Sequence, residues 1–458
     1  MQTHFPSCDG SGLGAGLLLA PFRGVRYDLS RVGGLANVTS PPYDVIGPGS
    51  LERLLAASPY NVVRLILPTG APGGAPGEVA PGEVAAGEVA AGRLRDWLAE
   101  GALAVDDSPA LYVYEQRAAD WVQRGLIGLV AVGTDAVHPH EGVMAGPVTG
   151  RRELMEKTRS NLEPILLVYN GGAEVGGSET GVGGHGGRSG LPAPGDASRL
   201  TDLTADGQPP LACAVTDDGV THRLWAVTDP GTQAAIAADL ATRTALIADG
   251  HHRYAAYREL RAEMSEADGD SGPWDYGLAF LVDADEYPLR LGAIHRVLPR
   301  LPLTEAVDRA AEAFTVTAVT ASTAFDRLAA ARESGTAFLL AGEGGYWLLT
   351  DPDQRKVDAA MPAEASRRWR ALDASVMQEL LLAQLWSIKD NERDVLISHD
   401  AAEAVRMAAD SGGTAVICNP MPLAAVMDIA AHGEKVPRKS TSFGPKPRTG
   451  LVLRTIES

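Results

Sequence analysis

The chain has 458 residues, which is enough for two or three domains. Hydrophobic residues make up 45% and charged residues 21%, which excludes global disorder and allows a sizeable packed core. Acidic residues outnumber basic residues by 58 to 40, and the resulting net charge of −18 disfavours a protein that wraps nucleic acid. Cys8, Cys213 and Cys418 are too far apart for a disulfide framework or a clustered zinc site.

In the first 170 residues, apolar runs and turn signals predict a mixture of strands and one helix. The predicted strands lie at 17–22, 61–67, 111–115 and 126–130, and the predicted helix lies at 94–103. No apolar run approaches the ~20 residues that span a bilayer. The short apolar run at 12–21 has no preceding basic residue, so we expect no secretory signal, no membrane partner and a cytoplasmic location.

Two tracts of unusual composition interrupt these elements. Residues 71–92 repeat Gly-Glu-Val-Ala-Pro/Ala with a period of five, which matches neither helix nor strand and predicts a low-complexity loop insert. Residues 171–195 contain 11 glycines in 25 positions, which is typical of a flexible linker or loop. We therefore predict an N-terminal α+β region at 16–170, a glycine-rich linker or loop at 171–200 and a C-terminal α/β region at 201–458.

Beyond residue 200, strand and helix signals alternate, which predicts an α/β or mixed α+β fold. The predicted strands lie at 223–227, 245–248, 278–282 and 414–418. The predicted helices lie within 234–248 and at 252–262, 376–386, 401–409 and 423–432. Asp400 and Glu403 have the spacing of a capping box for the helix at 401–409, and Gly433 has the position of a C-terminal cap.

Residues 247–254 read Ile-Ala-Asp-Gly-His-His-Arg-Tyr and place several reactive side chains at a strand-to-helix turn. The free N–H groups and dipole of a helix N-terminus favour an anion, and the guanidinium of Arg253 suits phosphate or carboxylate. Asp249 can orient an imidazole or act as a base, and His251 and His252 can act as general acid or base. Alternatively, Asp249 only caps the helix and the histidines only fill the turn.

A basic loop at 435–448 is the second candidate. The stretch 433–450 contains five basic residues and one acidic residue inside an acidic chain. Lysines beside hydroxyls, in a loop fixed by Pro and Gly, are suited to clamp an anion. The members with phosphate-binding chemistry are Lys439, Ser440, Thr441 and Lys446. The alternative is a solvated basic loop with no ligand.

A third cluster comprises His138, His140 and Glu141, whose nitrogen and oxygen donors suit a transition metal. Surface histidines near a strand end are the alternative interpretation. A metal-dependent hydrolase would need this cluster to lie close to His251 and His252.

The turn at 40–46 reads Ser-Pro-Pro-Tyr-Asp-Val-Ile and predicts a rigid loop tip. Tyr43 and Asp44 lie at this tip. They are equally suited to contact a substrate or to form a structural turn.

These pieces together resemble a large bacterial family catalogued as domain of unknown function 1015, whose name states no activity. The matching pieces lie at 20–22, 41–46, 61–65, 112–116, 140–141, 247–254, 439–441 and 443–451. The piece at 61–65 contributes Arg64 as a further substrate-binding candidate. After Glu141 the family tends to have a threonine where this chain has Val143, which puts any role of that hydroxyl in doubt.

Residues 249–253 also resemble the Asp-Gly-x-His-Arg box of the ParB/sulfiredoxin-like superfamily, which includes free serine kinases and CTP-binding partition proteins. In that superfamily the box lies where a strand meets a helix and handles nucleotide phosphates. The resemblance therefore implies a ParB/sulfiredoxin-like strand-to-helix phosphate site in a two-part chain.

Our hypothesis from the sequence is a phosphoryl-handling enzyme, a kinase or phosphotransferase acting on serine or a similar small metabolite. A nucleotide (ATP or ADP) and Mg²⁺ are the expected cofactors, and a phosphometabolite or nucleotide is the expected partner. The predicted catalytic residues are Asp249, His251, His252 and Glu141. The predicted phosphate-binding residues are Gly250, Arg253, Lys439, Ser440, Thr441 and Lys446. The predicted substrate-binding residues are Tyr43, Asp44, His140 and Arg64.

Three alternatives remain open at this point. A phosphatase on the same metabolite would use water in place of the acceptor hydroxyl. A non-catalytic nucleotide-binding regulator would bind phosphates without turnover. A metal-dependent hydrolase would use both histidine clusters.

Overall fold

The computed structural model of the chain describes residues 16–68, 86–172, 195–268, 271–391 and 393–456. The chain forms two compact units. Unit 1 comprises the described parts of Met1–His138, Val143–Leu289 and Pro445–Ser458, and unit 2 comprises Pro139–Gly142 and Arg290–Gly444. The chain therefore leaves unit 1 twice and returns to it twice.

Unit 1 is built on a mixed sheet. The strands of unit 1 that precede unit 2 in the sequence, whether in this sheet or outside it, are β1 (Leu19–Ala20), β2 (Val25–Tyr27), β3 (Leu103–Val105), β4 (Leu111–Arg117), β5 (Val122–Ala131), β6 (Val137–His138), β7 (Ser160–Asn161), β8 (Ile165–Tyr169), β9 (Ala212–Val215), β10 (Thr221–Val227), β11 (Ala245–Asp249) and β12 (Tyr276–Asp283). The order across the main sheet is β6–β11–β8–β12–β5–β4–β10–β9, and β1 pairs with β5. Strands β6 and β11, and strands β8 and β12, run parallel; the other pairs of this sheet are antiparallel.

Unit 1 has nine α-helices among the described residues. They are α1 (Leu29–Val32), α2 (Leu35–Val38), α3 (Pro48–Ala57), α4 (Val63–Ile66), α5 (Ala86–Ala99), α6 (Ala145–Thr158), α7 (Asp196–Gly207), α8 (Pro230–Leu240) and α9 (His251–Asp268). One continuous core joins side chains from α6, α7, α8 and α9 to the strands, for example Tyr257 to Ile165 and Ile247. Each such buried side chain contributes about 1.5–3 kcal/mol, and together they hold the ends of β8 and β11 in place.

Unit 2 has its own antiparallel sheet with helices on both faces. Its strands are β13 (Arg290–Gly292), β14 (His295–Leu298), β15 (Thr315–Val319), β16 (Phe338–Gly342), β17 (Gly345–Thr350), β18 (Leu396–Ser398), β19 (Thr414–Cys418) and β20 (Ser442–Gly444). The order is β15–β17–β16–β19–β14–β18, and β13 pairs with β20. Alternate residues of β16 enter different cores, with Phe338 and Leu340 in one and Leu339 and Ala341 in the other. This is the two-residue period of a strand buried on both sides.

The helices of unit 2 are α10 (Leu303–Ala310), α11 (Ala324–Ala331), α12 (Gln354–Ala360), α13 (Arg367–Arg370), α14 (Asp373–Ser375), α15 (Ala401–Ser411) and α16 (Leu423–Ala431), with a π-helix at Val376–Leu385. Most of them pack into these two cores, and α16 contributes Ile429 to a third, smaller cluster with Leu372 and Val436. The last strand, β21 (Arg454–Thr455), pairs with β7 in unit 1. No helix of the described residues is both long and apolar enough to cross a membrane.

The predicted mixed α/β class is confirmed, and so are most of the predicted elements. The strands expected at 111–115, 126–130, 223–227, 245–248, 278–282 and 414–418 all lie within strands. The predicted cap at Asp400 forms, because its Oδ1 accepts the Glu403 N–H at 2.6 Å. Gly433 follows α16 with a φ of +70°, as a C-terminal cap requires.

Some predicted elements were wrong. Residues 63–66 of the strand expected at 61–67 form helix α4, which begins where Asn61 Oδ1 accepts the Val63 N–H at 3.0 Å. Val63, Leu65 and Ile66 are all buried, and a fully buried apolar run does not distinguish helix from strand. Of the insert at 71–92, residues 86–92 belong to α5 and the rest lie outside the described residues. The helix expected at 376–386 is confirmed at Val376–Leu385, but it is a π-helix, since the Trp386 N–H donates to the Leu381 oxygen at 2.9 Å.

The predicted division at 171–200 does not coincide with the boundary between the units. Strand β8 precedes that segment and strands β11 and β12 follow it, yet all three are neighbours in one sheet. The backbone around Gly195 comes back to Gly171, since a Cβ added at Gly195 would lie 2.9 Å from the Gly171 oxygen. Residues 173–194 lie outside the described residues.

Candidate functional site

The candidate site is built on the strand-to-helix turn that the sequence predicts. Strand β11 ends at Asp249, and helix α9 begins at His251. Gly250 joins them with a φ of +94°, a backbone conformation that favours glycine. A Cβ at this position would lie only 2.9 Å from Ile165 Cγ2 and 3.1 Å from Arg253 Nε. Gly250 therefore allows the turn to pack directly against Arg253.

Asp249 lies between two cations. Its Oδ2 accepts from Arg253 Nη2 at 2.5 Å, and its Oδ1 lies 2.6 Å from Lys446 Nζ. Arg253 also donates from Nη1 to the Pro164 carbonyl at 2.6 Å. The Arg253 side chain is only 2% exposed, so its guanidinium holds Asp249 from inside the protein.

Lys446 connects Asp249 to a distant part of the chain. Its Nζ lies 2.5 Å from Asp44 Oδ2 as well as 2.6 Å from Asp249 Oδ1. Asp44 is 37% exposed and Lys446 21%, so both lie at the rim of the cluster, whereas Asp249 is 9% exposed. We name Asp44, Asp249, Arg253 and Lys446 the lysine cluster; all four belong to unit 1.

The charged groups of the lysine cluster stabilise one another in their ionised forms. Burial acts to raise the pKa of Asp44, but Lys446 and Arg253 hold it below its ordinary value. Burial acts to lower the pKa of Lys446, but Asp249 and Asp44 raise it above its ordinary value. Asp44 and Lys446 are therefore ionised at neutral pH.

A buried glutamate that the sequence analysis missed supports the cluster. Glu163 is 4% exposed, and its Oε1 accepts the Tyr43 N–H at 3.1 Å and the Thr449 hydroxyl at 3.3 Å. Its Oε2 lies 3.6 Å from Arg151 Nη1, and the Arg151 guanidinium covers the Tyr43 ring at 4.2 Å from the ring centroid. The signal in the sequence was a single acidic residue directly before Pro164 and a continuous apolar strand.

The two histidines of the turn lie at the start of α9. His252 Nε2 accepts the Met144 N–H at 3.1 Å, which places the proton of the neutral imidazole on Nδ1. His251 is buried at 9% exposure. Their predicted role as proton carriers stays a prediction, and His252 would have to exercise it through Nδ1.

Unit 2 contains a separate polar cluster made of His140, Glu141 and Thr441. The Thr441 hydroxyl donates to Glu141 Oε1 at 2.6 Å and lies 2.9 Å from His140 Nε2. Because the hydroxyl hydrogen is given to the carboxylate, the N–H of His140 Nε2 is the donor to Thr441. His140 is fully buried, with the Phe443 ring edge-on at 5.4 Å between centroids.

The predicted basic loop is divided between the two units. Lys439, Ser440 and Thr441 belong to unit 2, whereas Lys446 belongs to unit 1. Lys439 is exposed with a φ of +54°, and the buried Ser440 hydroxyl donates to the Pro437 carbonyl at 2.5 Å. Of the four predicted phosphate ligands in this loop, Lys446 is the member that joins Asp249.

Arg64 does not join the lysine cluster. Its guanidinium donates to the Leu55 carbonyl at 2.6 Å and to the Ser58 carbonyl at 3.4 Å, at the end of α3. Carbonyls at a helix C-terminus need such donors, so Arg64 has a structural contact that accounts for it.

The five predicted metal ligands fall in different units. His138 lies in β6 of unit 1 with His251 and His252 elsewhere in the same unit, but His140 and Glu141 lie in unit 2. Across the described part of the chain, no group of three or more His, Cys, Asp or Glu side chains is arranged to hold a metal ion. The described geometry gives the metal-hydrolase hypothesis no support.

Comparisons with known proteins identify a family without a named activity. A model of the family described as "protein of unknown function (DUF1015)" matches residues 19–177 and 192–375. The resemblance seen in the motifs is thereby confirmed. The comparison with curated proteins finds no match.

Solved structures resemble the chain only remotely. A free serine kinase in complex with AMP matches with a TM-score of 0.31 and 15% identity, over 68% of this chain and 84% of its own. SbnI with a C-terminal truncation from Staphylococcus aureus gives 0.34 and 12%, over 69% and 82%. A conserved hypothetical protein from Pyrococcus furiosus gives 0.32 and 14%, over 70% and 93%. At these values the likeness carries no argument about function.

Proposed function

The chain belongs to the family of proteins of unknown function (DUF1015), and we propose that its lysine cluster is a phosphotransferase site for a small hydroxylated metabolite such as serine. The observation that carries the proposal is the position of the Lys446 ammonium between Asp44 and Asp249. Segments more than 190 residues apart in sequence are brought together there, beside the turn that starts an 18-residue helix.

Phosphoryl transfer needs positioned charges more than covalent chemistry by the protein. Lys446 is a point charge on a flexible stem and lies partly exposed at the rim. A phosphate group could therefore compete with the carboxylates for its ammonium. The first N–H groups of α9 and its dipole would favour the same anion.

Arg253 has a different role in this proposal from the one the sequence predicted. Because its guanidinium is buried and already donates to Asp249 and Pro164, it would orient Asp249 instead of touching phosphate. Asp249 would orient the acceptor hydroxyl or accept its proton. Asp44 would contact the substrate from the rim, and His251 or His252 would carry a proton.

Asp44 and Asp249 offer the carboxylate oxygens that Mg²⁺ prefers, and both already contact one shared cation, Lys446. They would hold Mg²⁺ together with the substrate's phosphates, where the ion would neutralise phosphate oxygens. ATP or ADP as the phosphate donor rests on this charge arrangement and on the motif resemblance. A phosphatase would use the same arrangement with water as the acceptor.

A non-catalytic nucleotide-binding regulator is the second candidate. The observation in its favour is that both oxygens of Asp249 are engaged by cations, which suits a carboxylate that positions better than one that accepts protons. In that case phosphates would bind at Lys446 without turnover. The cluster of Glu141, Thr441 and His140 in unit 2 keeps its predicted catalytic and binding roles as a separate hypothesis.

The test is a thermal-shift screen with ATP, ADP, CTP, pyrophosphate, L-serine and O-phospho-L-serine, each with and without Mg²⁺. A ligand at about 100 times its Kd stabilises the folded protein by about 2.7 kcal/mol, which gives a readable shift. We expect the shift with phosphates to disappear in Lys446→Met. The matched control is Lys157→Met, because Lys157 also lies in unit 1 and also pairs with carboxylates, those of Glu88 and Glu156.

Two further variants separate the remaining possibilities. Lys439→Met tests whether the exposed lysine of unit 2 contributes to phosphate binding. Asp44→Asn tests whether Asp44 contributes to any dependence of that binding on Mg²⁺. Formation of O-phospho-L-serine from ATP and L-serine, followed by ³¹P NMR, would distinguish a kinase from a regulator. A phosphate shift that survives in Lys446→Met would overturn the proposed site, and a shift with Zn²⁺ or Mn²⁺ alone would favour the metal hydrolase.

A further inference from the structure

We propose that Tyr114 and His222 are positioning residues that hold the segment carrying Lys446 through a chain of hydrogen bonds whose central members are buried. The Arg448 backbone N–H donates to the Tyr114 hydroxyl at 3.3 Å, and that hydroxyl lies 2.8 Å from His222 Nδ1. His222 Nε2 lies 3.1 Å from the Thr216 hydroxyl, which donates to Asp218 Oδ1 at 2.5 Å. All five residues belong to unit 1.

The directions of these hydrogen bonds follow from the number of hydrogens available. Thr216 has one hydroxyl hydrogen, and the hydroxyl donates it to Asp218 Oδ1 at 2.5 Å or to the Val220 carbonyl at 3.1 Å. His222 Nε2 must therefore carry the proton, and Nδ1 must accept from the Tyr114 O–H. The Tyr114 oxygen then keeps a lone pair for the Arg448 N–H. The chain of donors runs one way, from Arg448 to Asp218.

Burial makes this chain stiff. Tyr114 is fully buried and His222 is 3% exposed, on the neighbouring strands β4 and β10. Their rings stack with centroids 6.1 Å apart and an angle of 17° between the planes. Burial and the nearby Arg448 charge lower the pKa of His222 to about 4, against the opposite effect of Asp218, so the imidazole is neutral at neutral pH. Buried polar side chains whose hydrogen bonds are satisfied, such as Tyr114 and His222, resist displacement.

The anchored backbone is two residues from Lys446, with Pro447 between them. The proline ring fixes its own φ, so a displacement at Arg448 is transmitted along the chain. The Arg448 guanidinium donates to the Thr39 hydroxyl at 2.7 Å, and Thr449 exchanges two backbone hydrogen bonds with Ser40. Residues 39–44 and 446–449 therefore lie side by side, and each segment carries one member of the ion pair between Asp44 and Lys446.

The positioning role does not depend on the proposed function, but the expected weakening of phosphate binding rests on it. The positioning itself is measured without any ligand, by hydrogen exchange of the peptide that covers residues 445–450 in the full-length protein. We expect Tyr114→Phe to raise amide exchange there by about tenfold, because the Arg448 N–H loses its buried acceptor. We expect affinity for pyrophosphate to fall by about five- to tenfold.

The matched control is Tyr112→Phe. Tyr112 lies on the same strand and is equally buried, but its hydroxyl serves the Gly24 N–H and Asp106. A second pair of variants tests the histidine. His222→Leu should act like Tyr114→Phe, whereas His222→Gln, whose amide offers one acceptor and one donor, should restore slow exchange at 445–450.

The outcomes separate this inference from the proposed function. Faster exchange in Tyr114→Phe and His222→Leu but not in Tyr112→Phe or His222→Gln supports the positioning role, even if no phosphate binds. Equal exchange at 445–450 in Tyr114→Phe and Tyr112→Phe overturns it, even if phosphate binds at Lys446.

Discussion

Among the fully buried arginines, Arg253 in unit 1 and Arg296 in unit 2 meet different partners. Arg253 in unit 1 donates to the Asp249 carboxylate and to the Pro164 carbonyl. Arg296 in unit 2 donates to the carbonyls of Ile294 and Arg438. Burial acts to lower the pKa of both guanidinium groups. In Arg253 the carboxylates of Glu163, Asp249 and Asp44 more than compensate and raise it, whereas in Arg296 the pKa stays lowered.

The difference shows where the fold maintains buried charge. Around Arg253, opposite charges stabilise one another, so that a carboxylate can remain ionised below the surface. Around Arg296, neutral carbonyls accept hydrogen bonds from Nη1 and Nη2, and no carboxylate lies within ion-pair distance of the guanidinium in the described residues. Ion pairs of this kind are seldom the most stable filling for a core, which suggests that unit 1 keeps them for binding or chemistry.

The largest expected loss of stability comes from replacing Arg253 or Arg296 by methionine. Arg253→Met would leave Asp249 with Lys446 as its remaining cation, and we expect unit 1 to lose about 3–5 kcal/mol. Arg296→Met would leave two neutral carbonyls unsatisfied, and we expect unit 2 to lose about 1–3 kcal/mol. Denaturant unfolding followed by hydrogen exchange in each unit measures both changes.

Arg117→Met is the control for the arginine comparison. Arg117 pairs with Glu115 but is 44% exposed, and we expect a loss of at most about 1 kcal/mol. Equal losses for Arg253→Met and Arg296→Met would show that the carboxylate partner adds nothing.

Acid should weaken both units through one buried histidine in each. The pKa values of His222 and His295 are lowered by burial from 6.5 to about 4, and each Nδ1 accepts a hydrogen bond. Each imidazole stays neutral in the folded protein but takes up a proton on unfolding below pH 6.5. The associated stability is complete above pH 6.5 and is lost as the pH falls towards 4, by about 3 kcal/mol per histidine.

Glutamine replacements check this pH dependence, because glutamine does not titrate. We expect His222→Gln to flatten the dependence of unfolding free energy on pH in unit 1, and His295→Gln to do so in unit 2. Denaturant titrations at several pH values between 4 and 7 give the slopes. Slopes identical to those of the unmodified protein would contradict the prediction.

Two glycines with positive φ, one in each unit, offer a further comparison with a smaller expected loss of stability. Gly250→Ala would place a methyl group against Ile165 and Arg253 in a left-handed conformation, and we expect a loss of about 2–4 kcal/mol. Gly433→Ala in unit 2 meets no atom within 4 Å, so we expect only the conformational cost of about 1 kcal/mol. Thermal unfolding of both variants measures the difference, and equal losses would show that Arg253 and Ile165 yield to the added methyl group.

Removing residues 173–194 should have the smallest effect. Gly171 and Gly195 are neighbours in space, so a short Gly-Ser link can join the remaining ends. We expect stability to change by less than about 1 kcal/mol and phosphate binding to be unchanged. Loss of binding on excision would show that this segment takes part in function.

Local signals made much of the fold predictable. Alternating and continuous apolar runs predicted several strands of the main sheet of unit 1 and one strand of the unit 2 sheet, β19, and Asp400 and Gly433 marked helix ends correctly. The run at 61–67 was wrongly predicted as a strand because all but two of its side chains are buried, and the Asn61 side chain that starts the helix was the overlooked signal. The division into units was not predictable, because it depends on which distant strands pair.

The candidate site was predictable residue by residue but not as an arrangement. Asp44, Asp249 and Lys446 stand out by chemical type, but nothing in their spacing states that one ammonium contacts both carboxylates. Glu163 and Tyr114 were not chosen as site residues, because a single buried polar residue in an apolar setting has no local pattern. Lys439 and Lys446 are seven positions apart in the sequence and still belong to different units.

The discontinuity of unit 1 has a consequence for protein synthesis. Asp44 and Asp249 leave the ribosome early, but Lys446 follows only after Arg290–Gly444 has been made. A nascent or truncated chain that stops within unit 2 therefore has the two carboxylates without the ammonium that joins them. Such a fragment contains every strand of the main sheet of unit 1 but lacks β21, and the proposed phosphate site would be incomplete. Competence to bind phosphate would in this way report that the whole of unit 2 has been translated.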